Sequence, residues 1–311
     1  MKFLWTFILP LVLTGCMTTQ PTTRPRAIAP PVMFKRTIAP PKIPPPGESI
    51  VLHDGDTAFT LFLPMGWTVP ATGDVRLTVH FHGAIWFAIQ EHLREDLKTP
   101  LIVAFLGEGS SVYAKPFQDR QRFNRWMRLA VQALQARGAP PNTHVSSVDI
   151  SSFSAGYGAV RELLKSPEYT RIIHRIVLSD SMYASFENGT NLVNTPLGPH
   201  RLPAPSQMEP WIAFANAAAR GEKTFVLTCS EVPTPAYASS TDCAAALIEA
   251  EHAPVQWIAP GSNPAASDPN FPLKFRSDLG NFHVWGYGGI DAQAHMTQVR
   301  HLADVWMALS K

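Results

Sequence analysis

The chain has 311 residues, 45% apolar and 16% charged, which suits one large α/β domain with appendages and excludes a disulfide-stapled miniature, a coiled coil or a disordered bulk. The formal charge of +2 is unevenly spread: six of the 26 basic residues (Lys2, Arg24, Arg26, Lys35, Arg36 and Lys42) precede the first acid, Glu48, leaving 20 against 24 in the body. A mildly acidic body excludes the clustered basic footprint of a nucleic-acid binder.

The N-terminus has one basic residue, an apolar run from Phe3 to Leu13, and then Leu13-Thr14-Gly15-Cys16, which is the anatomy of a secretory signal. The run is interrupted by Pro10 and falls well short of the roughly 20 residues needed to span a bilayer. It resembles the bacterial lipoprotein signal, in which a small residue precedes an acylated cysteine. That resemblance implies a signal over residues 1–15, a lipid anchor on Cys16, and a place in the bacterial cell envelope, at the outer membrane or facing the periplasm if the host is Gram-negative. Residues 17–47 hold nine prolines, with Pro30-Pro31, Pro40-Pro41 and Pro44-Pro45-Pro46 clustered; residues 16–47 therefore read as a lipidated cysteine and a tether, extending about 3.1 Å per residue where polyproline II forms.

The body, residues 48–311, alternates short β-rich runs with helical periodicity. SIVLHD and TAFTLFLP read as a hairpin, VRLTVHFHG (75–83) as a strand, and the stretch from Phe87 to Leu97 as a helix. PLIVAFLG (100–107) suits a strand covered on both faces. Phe123, Trp126, Met127, Ala130, Val131 and Leu134 fall at helical spacing ahead of Gly138. HVSSVDISSF, RIVLSD, KTFVLTCS and VQWIAP follow as strands, separated by helical patterns, and one last helix runs from about residue 293 with Met296, Val299, Leu302, Trp306 and Leu309 on one stripe. This order predicts an α/β domain with a mostly parallel, doubly wound sheet and helices on both faces. Residues 184–208 and 260–281 break the alternation and read as long loops of the lid or binding kind.

Ser152-Phe153-Ser154-Ala155-Gly156 lies between a β run and a helix. That is the context of a nucleophile elbow, G-x-S-x-G, with serine in place of the first glycine. On Ser154, on His82-Gly83 after the third strand, and on a histidine ahead of the final helix, the body resembles the α/β-hydrolase superfamily over nearly its whole length. The order of that family, Ser then Asp or Glu then His, is met by Ser154, by Asp180 or Glu231, and by His283 or His295. A serine hydroxyl attacks only when an imidazole takes its proton, and the imidazole needs a carboxylate to fix its tautomer. The reading adopted is Ser154 as nucleophile, His295 as base at the opening of the last helix and Asp180 as acid. The N–H of Ala155, with that of Gly83 or Ala84, forms the oxyanion site. His283, among aromatics, reads as packing and His301 as surface.

The implied activity is serine hydrolysis of a small-molecule or lipid carboxylic ester through an acyl-enzyme, with no cofactor and no metal. Oligomeric state is left open. Two rivals stand beside it: a non-catalytic envelope-binding module on the same fold, and a metal hydrolase using His80 and His82, two apart on a strand. Trp86, Phe87, Tyr113, Phe117, Tyr183 and Phe186 follow strand ends and are candidates to line a substrate pocket. Cys229 and Cys243 form an even pair in an exported chain and predict a disulfide worth on the order of 3 kcal/mol; two buried thiols are the alternative.

Overall fold

A computed structural model describes residues 28–33, 36, 38–95, 98–187, 191–264 and 267–309. Residues 1–15, read above as a signal, and Cys16 lie outside the described residues. Among those described, no helix is long and apolar enough to cross a membrane.

Two strands, β1 (Gly47–Asp54) and β2 (Thr57–Pro64), form the expected antiparallel hairpin. Then come β3 (Asp74–Phe81), α1 (Ile85–Arg94), β4 (Leu101–Ala104), α2 (Ser111–Phe117), α3 (Arg122–Gln135), β5 (His144–Phe153), a 3-10 turn at Ser154–Gly156, α4 (Tyr157–Leu164), α5 (Pro167–Ile172) and β6 (Ile173–Ser179). The second half holds a small hairpin, β7 (Leu192–Thr195) and β8 (Gly198–Arg201), followed by α6 (Pro205–Ala219), β9 (Thr224–Ser230), α7 (Ser240–Ala250), β10 (Val255–Trp257), β11 (Leu273–Leu279), β12 (Phe282–Tyr287), α8 (Ala292–Arg300) and α9 (Leu302–Leu309).

The main sheet runs β1-β2-β4-β3-β5-β6-β9-β12-β11-β10. Its centre, from β4 to β12, is parallel, and both flanks are antiparallel. Period-two alternation sorts the strands between two helical layers. Ile176, Leu178, Phe225 and Leu227 face the main core with Trp126, Trp211 and Ile248, while Val177, Val226, Trp285 and Tyr287 face Leu302, Val305 and Trp306 of α9. With α1 on the same side as α9, over Leu101 and Val103, this is the α/β-hydrolase fold. Every central strand points its carboxyl end to one edge, where an open α/β sheet presents its site.

Three sequence expectations are corrected. Residues 260–281 are not one long loop: β11 pairs antiparallel with β12 across Gly280 and Asn281, with Gly280 at φ +57°. Its burial alternates, with Phe275 and Ser277 inward and Lys274, Arg276 and Asp278 outward; the short polar-rich pattern gains its meaning only from the partner strand. The single last helix is broken at His301, which is buried rather than surface, accepts α9's turn at its own carbonyl and bonds Asp304 Oδ2 through Nδ1 at 2.6 Å. Cys229 and Cys243 are free, and both are closed into the main core. Packed reduced cysteines behave as small apolar residues, and burial pushes both thiols up, so neither offers the thiolate that exchange requires. Thermal unfolding should therefore be the same with and without dithiothreitol, and both thiols should react with Ellman's reagent only on unfolding; a melting temperature that falls on reduction would contradict the unbridged state.

Candidate active site

The turn after β5 is forced by close packing. A Cβ on Gly156 would lie 2.3 Å from the Phe81 carbonyl oxygen and 2.7 Å from Ser152 Oγ, so only glycine lets α4 begin this close to β3. Ser154, two residues earlier, takes φ +46°, a left-handed conformation that costs a non-glycine residue about 1–3 kcal/mol and is held only where surroundings over-determine it. Serine at position 152 has a use of its own. Its Oγ pairs with Ser181 Oγ at 2.7 Å, and Ser181 Oγ donates to the Ser154 carbonyl at 2.9 Å, so buried hydroxyls brace the turn from beneath.

Asp180 follows β6 directly, also left-handed at φ +45°, with its side chain 3% exposed. Its Oδ2 accepts from His295 Nδ1 at 2.8 Å and from Ser230 Oγ at 2.5 Å, and its Oδ1 lies 3.4 Å from the Ser230 N–H. Nδ1 of His295 being the donor, its Nε2 carries the lone pair. His295 is held at the fourth position of α8 by Asp291, whose carboxylate caps the helix through the Ala294 N–H at 2.9 Å. Its ring stacks on Phe153 at 4.6 Å, the residue preceding Ser154. Among the described residues Ser154 Oγ has no hydrogen-bond partner; the structure brings His295 and Asp180 into contact and links Ser154 to them through its neighbour Phe153, stacked on the His295 ring, and through the Ser181 hydroxyl on its carbonyl. Glu231 is directed elsewhere, its Oε2 accepting from the Gly289 N–H at 3.1 Å. His283 lies within the sheet and donates to Asp278 Oδ1 at 2.7 Å.

The turn between β3 and α1 is the third strained piece. His82 takes φ +69° and Gly83 φ +124°, and among the described residues neither Gly83 nor Ala84 spends its N–H on the fold. Ala155 lies in the first turn of a helical segment, where an N–H has no intrahelical acceptor. His82 Nδ1 lies 2.9 Å from Tyr113 Oη, which donates to the Gly107 carbonyl and accepts from the Leu106 N–H, both at 3.1 Å. With the phenol pushed up to about 12 by burial, Nδ1 must be the donor. Burial lowers the pKa of His82, outweighing Glu108 and the Gly107 carbonyl, which raise it, with His295 adding a smaller lowering; the imidazole is thus held toward its neutral form. His80 bonds Ser151 Oγ at 2.8 Å instead, and among the described residues no group of three metal-ligating side chains includes either histidine.

Of the aromatics considered for the pocket, Tyr113 and Phe117 belong to the core, Tyr183 sits between Tyr157 and Tyr237 at 5.4 and 5.7 Å, and Phe186 carries Arg201 over its ring at 3.4 Å. Large apolar side chains exposed beside these elements include Ile85 on α1, Phe105 after β4 and Met296 next to His295. A cavity of about 390 Å³ opens behind Ser230 and Glu231, lined by Asp242, Trp257, Lys274 and Phe275, and does not include Ser154 or His295. Sequence reasoning missed Ser181, Ser230 and Tyr113 as braces: each touches its partner across 27 to 50 positions of chain or through a backbone turn, and no local pattern marks it.

No protein-family model matches the sequence, and no curated protein matches it. Among solved structures, the chain is similar to the S954A mutant of the feruloyl esterase module from Clostridium thermocellum complexed with sinapinate, at 10% identity, 91% of this chain, 95% of that chain and a TM-score of 0.49. It is also similar to an acetyl xylan esterase from Aspergillus awamori (12% identity, 81% and 100% covered, TM-score 0.43) and to the siderophore hydrolase EstB from Aspergillus nidulans (12%, 86% and 96%, TM-score 0.41). Likeness at this level concerns the course of the chain; the chemistry must come from the residues themselves.

One consequence of the burial is an acid limit on stability. Desolvation lowers the pKa of His80 from 6.5 to about 4, and that of His92 likewise. The unfolded chain takes up these protons below about 6.5 and the folded chain only near 4, so the stabilisation is whole above that window and is lost as pH falls through it. Urea unfolding at pH 7 and pH 4.5 should show the drop, and His80→Gln should remove its share of it; an unchanged pH slope in that variant would contradict the buried neutral imidazole.

Proposed function

We infer that this protein is a serine hydrolase acting on carboxylic esters through an acyl-enzyme. The observation that carries the reading is the hydrogen bond from His295 Nδ1 to the buried Asp180 carboxylate, beside a serine on a strained strand-to-helix turn. Ser154 Oγ attacks the ester carbonyl while His295 Nε2 takes its proton, and Asp180 stabilises the imidazolium. The oxyanion receives the N–H of Ala155 and that of Gly83 or Ala84, each such donor being worth about 2.7–4 kcal/mol in the barrier. The imidazolium then protonates the leaving alcohol, and water, activated by the same nitrogen, cleaves the acyl-enzyme. The open bond between Ser154 and His295 suits a free enzyme, in which such contacts are often long and tighten with substrate. His82, held toward its neutral form by burial, adds little positive charge to oppose the imidazolium.

The exposed apolar side chains of Ile85, Phe105 and Met296 support an ester with an apolar acyl or alkyl group, a small molecule or a lipid. The N-terminal Leu13-Thr14-Gly15-Cys16 supports export and attachment to the envelope membrane through lipid on Cys16; two chains or more make such attachment stable, at about 0.8 kcal/mol per buried methylene.

Kinetics on short p-nitrophenyl esters test the assignment of the acid. Asp180→Asn should lower kcat at least about a hundredfold, the loss of the triad acid in a protease costing about 10⁴, while Glu231→Gln stays within about tenfold because its carboxylate is engaged by the Gly289 N–H. The reverse ranking would move the acid to Glu231; a folded wild-type protein that turns over no ester would favour a binding module.

A further inference from the structure

The segment ahead of β1 has the composition of a bare tether, yet its described part is built into the body. Met33 is 2% exposed and packs with Phe271, Trp285 and Trp306, and its carbonyl accepts from the Asp268 N–H at 2.6 Å. Arg36 reaches further. Its guanidinium donates to both carboxylate oxygens of Glu91 at 2.8 and 3.3 Å and to the carbonyl of Arg300 at 2.5 Å. Glu91 lies on α1 with its side chain fully buried; it also accepts from Arg94 and from the Ala303 N–H at 3.1 Å. Arg300 ends α8. The Arg36 guanidinium therefore shares with Arg94 the charge of a buried acid on the helix that follows the oxyanion turn, and among the described residues it alone satisfies an orphan carbonyl at the end of the helix that carries His295. Two residues on, Ile38 packs in a small cluster with Trp86 and Phe87 of α1, Phe153 at the end of β5 and Val299 of α8. Those elements supply the oxyanion turn, the nucleophile and the base.

We propose that Arg36 and Ile38 are positioning residues: these described residues ahead of β1 act as a strap that registers α8, with His295, against α1 and the Ser154 turn. The proposal rests on the serine-hydrolase reading and adds to it a third structural layer that the composition of the tether conceals. Met33 provides the contrast, since the cluster it fills joins the sheet to α9 and holds no residue of α1, β5 or α8.

The test uses the full chain. Arg36→Ala and Ile38→Ala should lower kcat by about tenfold to a hundredfold at temperatures where both remain folded, with KM changed less than about threefold, because displacement of a base by about 1 Å costs rate rather than substrate affinity. Met33→Ala should lower the melting temperature but leave kcat within about twofold. Hydrogen exchange followed by mass spectrometry supplies a readout independent of turnover: amides of residues 292–300 should exchange at least about tenfold faster in Arg36→Ala and Ile38→Ala than in wild type, whereas in Met33→Ala they should not. The proposal is overturned if Arg36→Ala and Ile38→Ala keep wild-type kcat and wild-type protection of that helix, or if Met33→Ala loses kcat to the same degree. Should wild type hydrolyse no ester, the hydrolase reading fails by itself, and the exchange comparison still decides whether the strap fixes the helix.

Discussion

A helical turn that begins directly after a strand ends, as at Ser154 after Phe153, must bring its first residues against the neighbouring strand. Here the contact is between Gly156 and the Phe81 carbonyl, with no room for a methyl group. Much of the site follows from that contact. It holds Ser154 in a left-handed conformation, at the sheet edge where β3, β5 and β6 all end. Among the described residues, four non-glycine positions have positive φ, and three of them are His82, Ser154 and Asp180. Strain is thus concentrated where three strand ends meet, as expected where geometry is maintained for chemistry rather than stability.

Buried polar contacts oppose that strain. Ser152 and Ser181 join the turn to the start of the Asp180 loop, Ser230 joins the Asp180 carboxylate to β9, and Tyr113 joins His82 to the loop after β4. Each is a neutral hydroxyl bonded to a neighbouring element, which fixes position without adding net charge to the site. A separate set of charged groups, Glu91, Arg94, Asp304 and Arg36, forms its own cluster between α1, α9 and the N-terminal strap. An ionic cluster there can tie helices together while leaving the electrostatics of His295 to Asp180.

The alternation of strands and helices was legible in the sequence because each element has its own periodicity, and the turn at residues 152–156 was legible because its small residues fall between a strand and a helix. Other features depend on contacts distant in sequence. Lys274, Arg276 and Asp278 made β11 look like loop until β12 supplied its partner. His301 sits on a predicted outer face only if the helix is continuous; the break at that residue resets the stripe and turns the ring onto Phe271 at 6.2 Å. Which carboxylate meets His295 depends on where two strand ends stand relative to α8, and no spacing along the chain encodes that. The strap is the extreme case: single residues at 33, 36 and 38 dock within proline-rich surroundings that have no period to read.

If Ser154 is a nucleophile activated by His295 and Asp180, it must react with an electrophile that the same histidine makes it able to attack. The most direct measurement is the mass of the folded protein after reaction with a fluorophosphonate, followed by peptide mapping of the adduct. One phosphonyl group per chain is expected, on Ser154, formed slowly or not at all in His295→Ala although that variant remains folded. A folded wild-type chain that takes up no label, or takes it up on another residue at the same rate in His295→Ala, would contradict it.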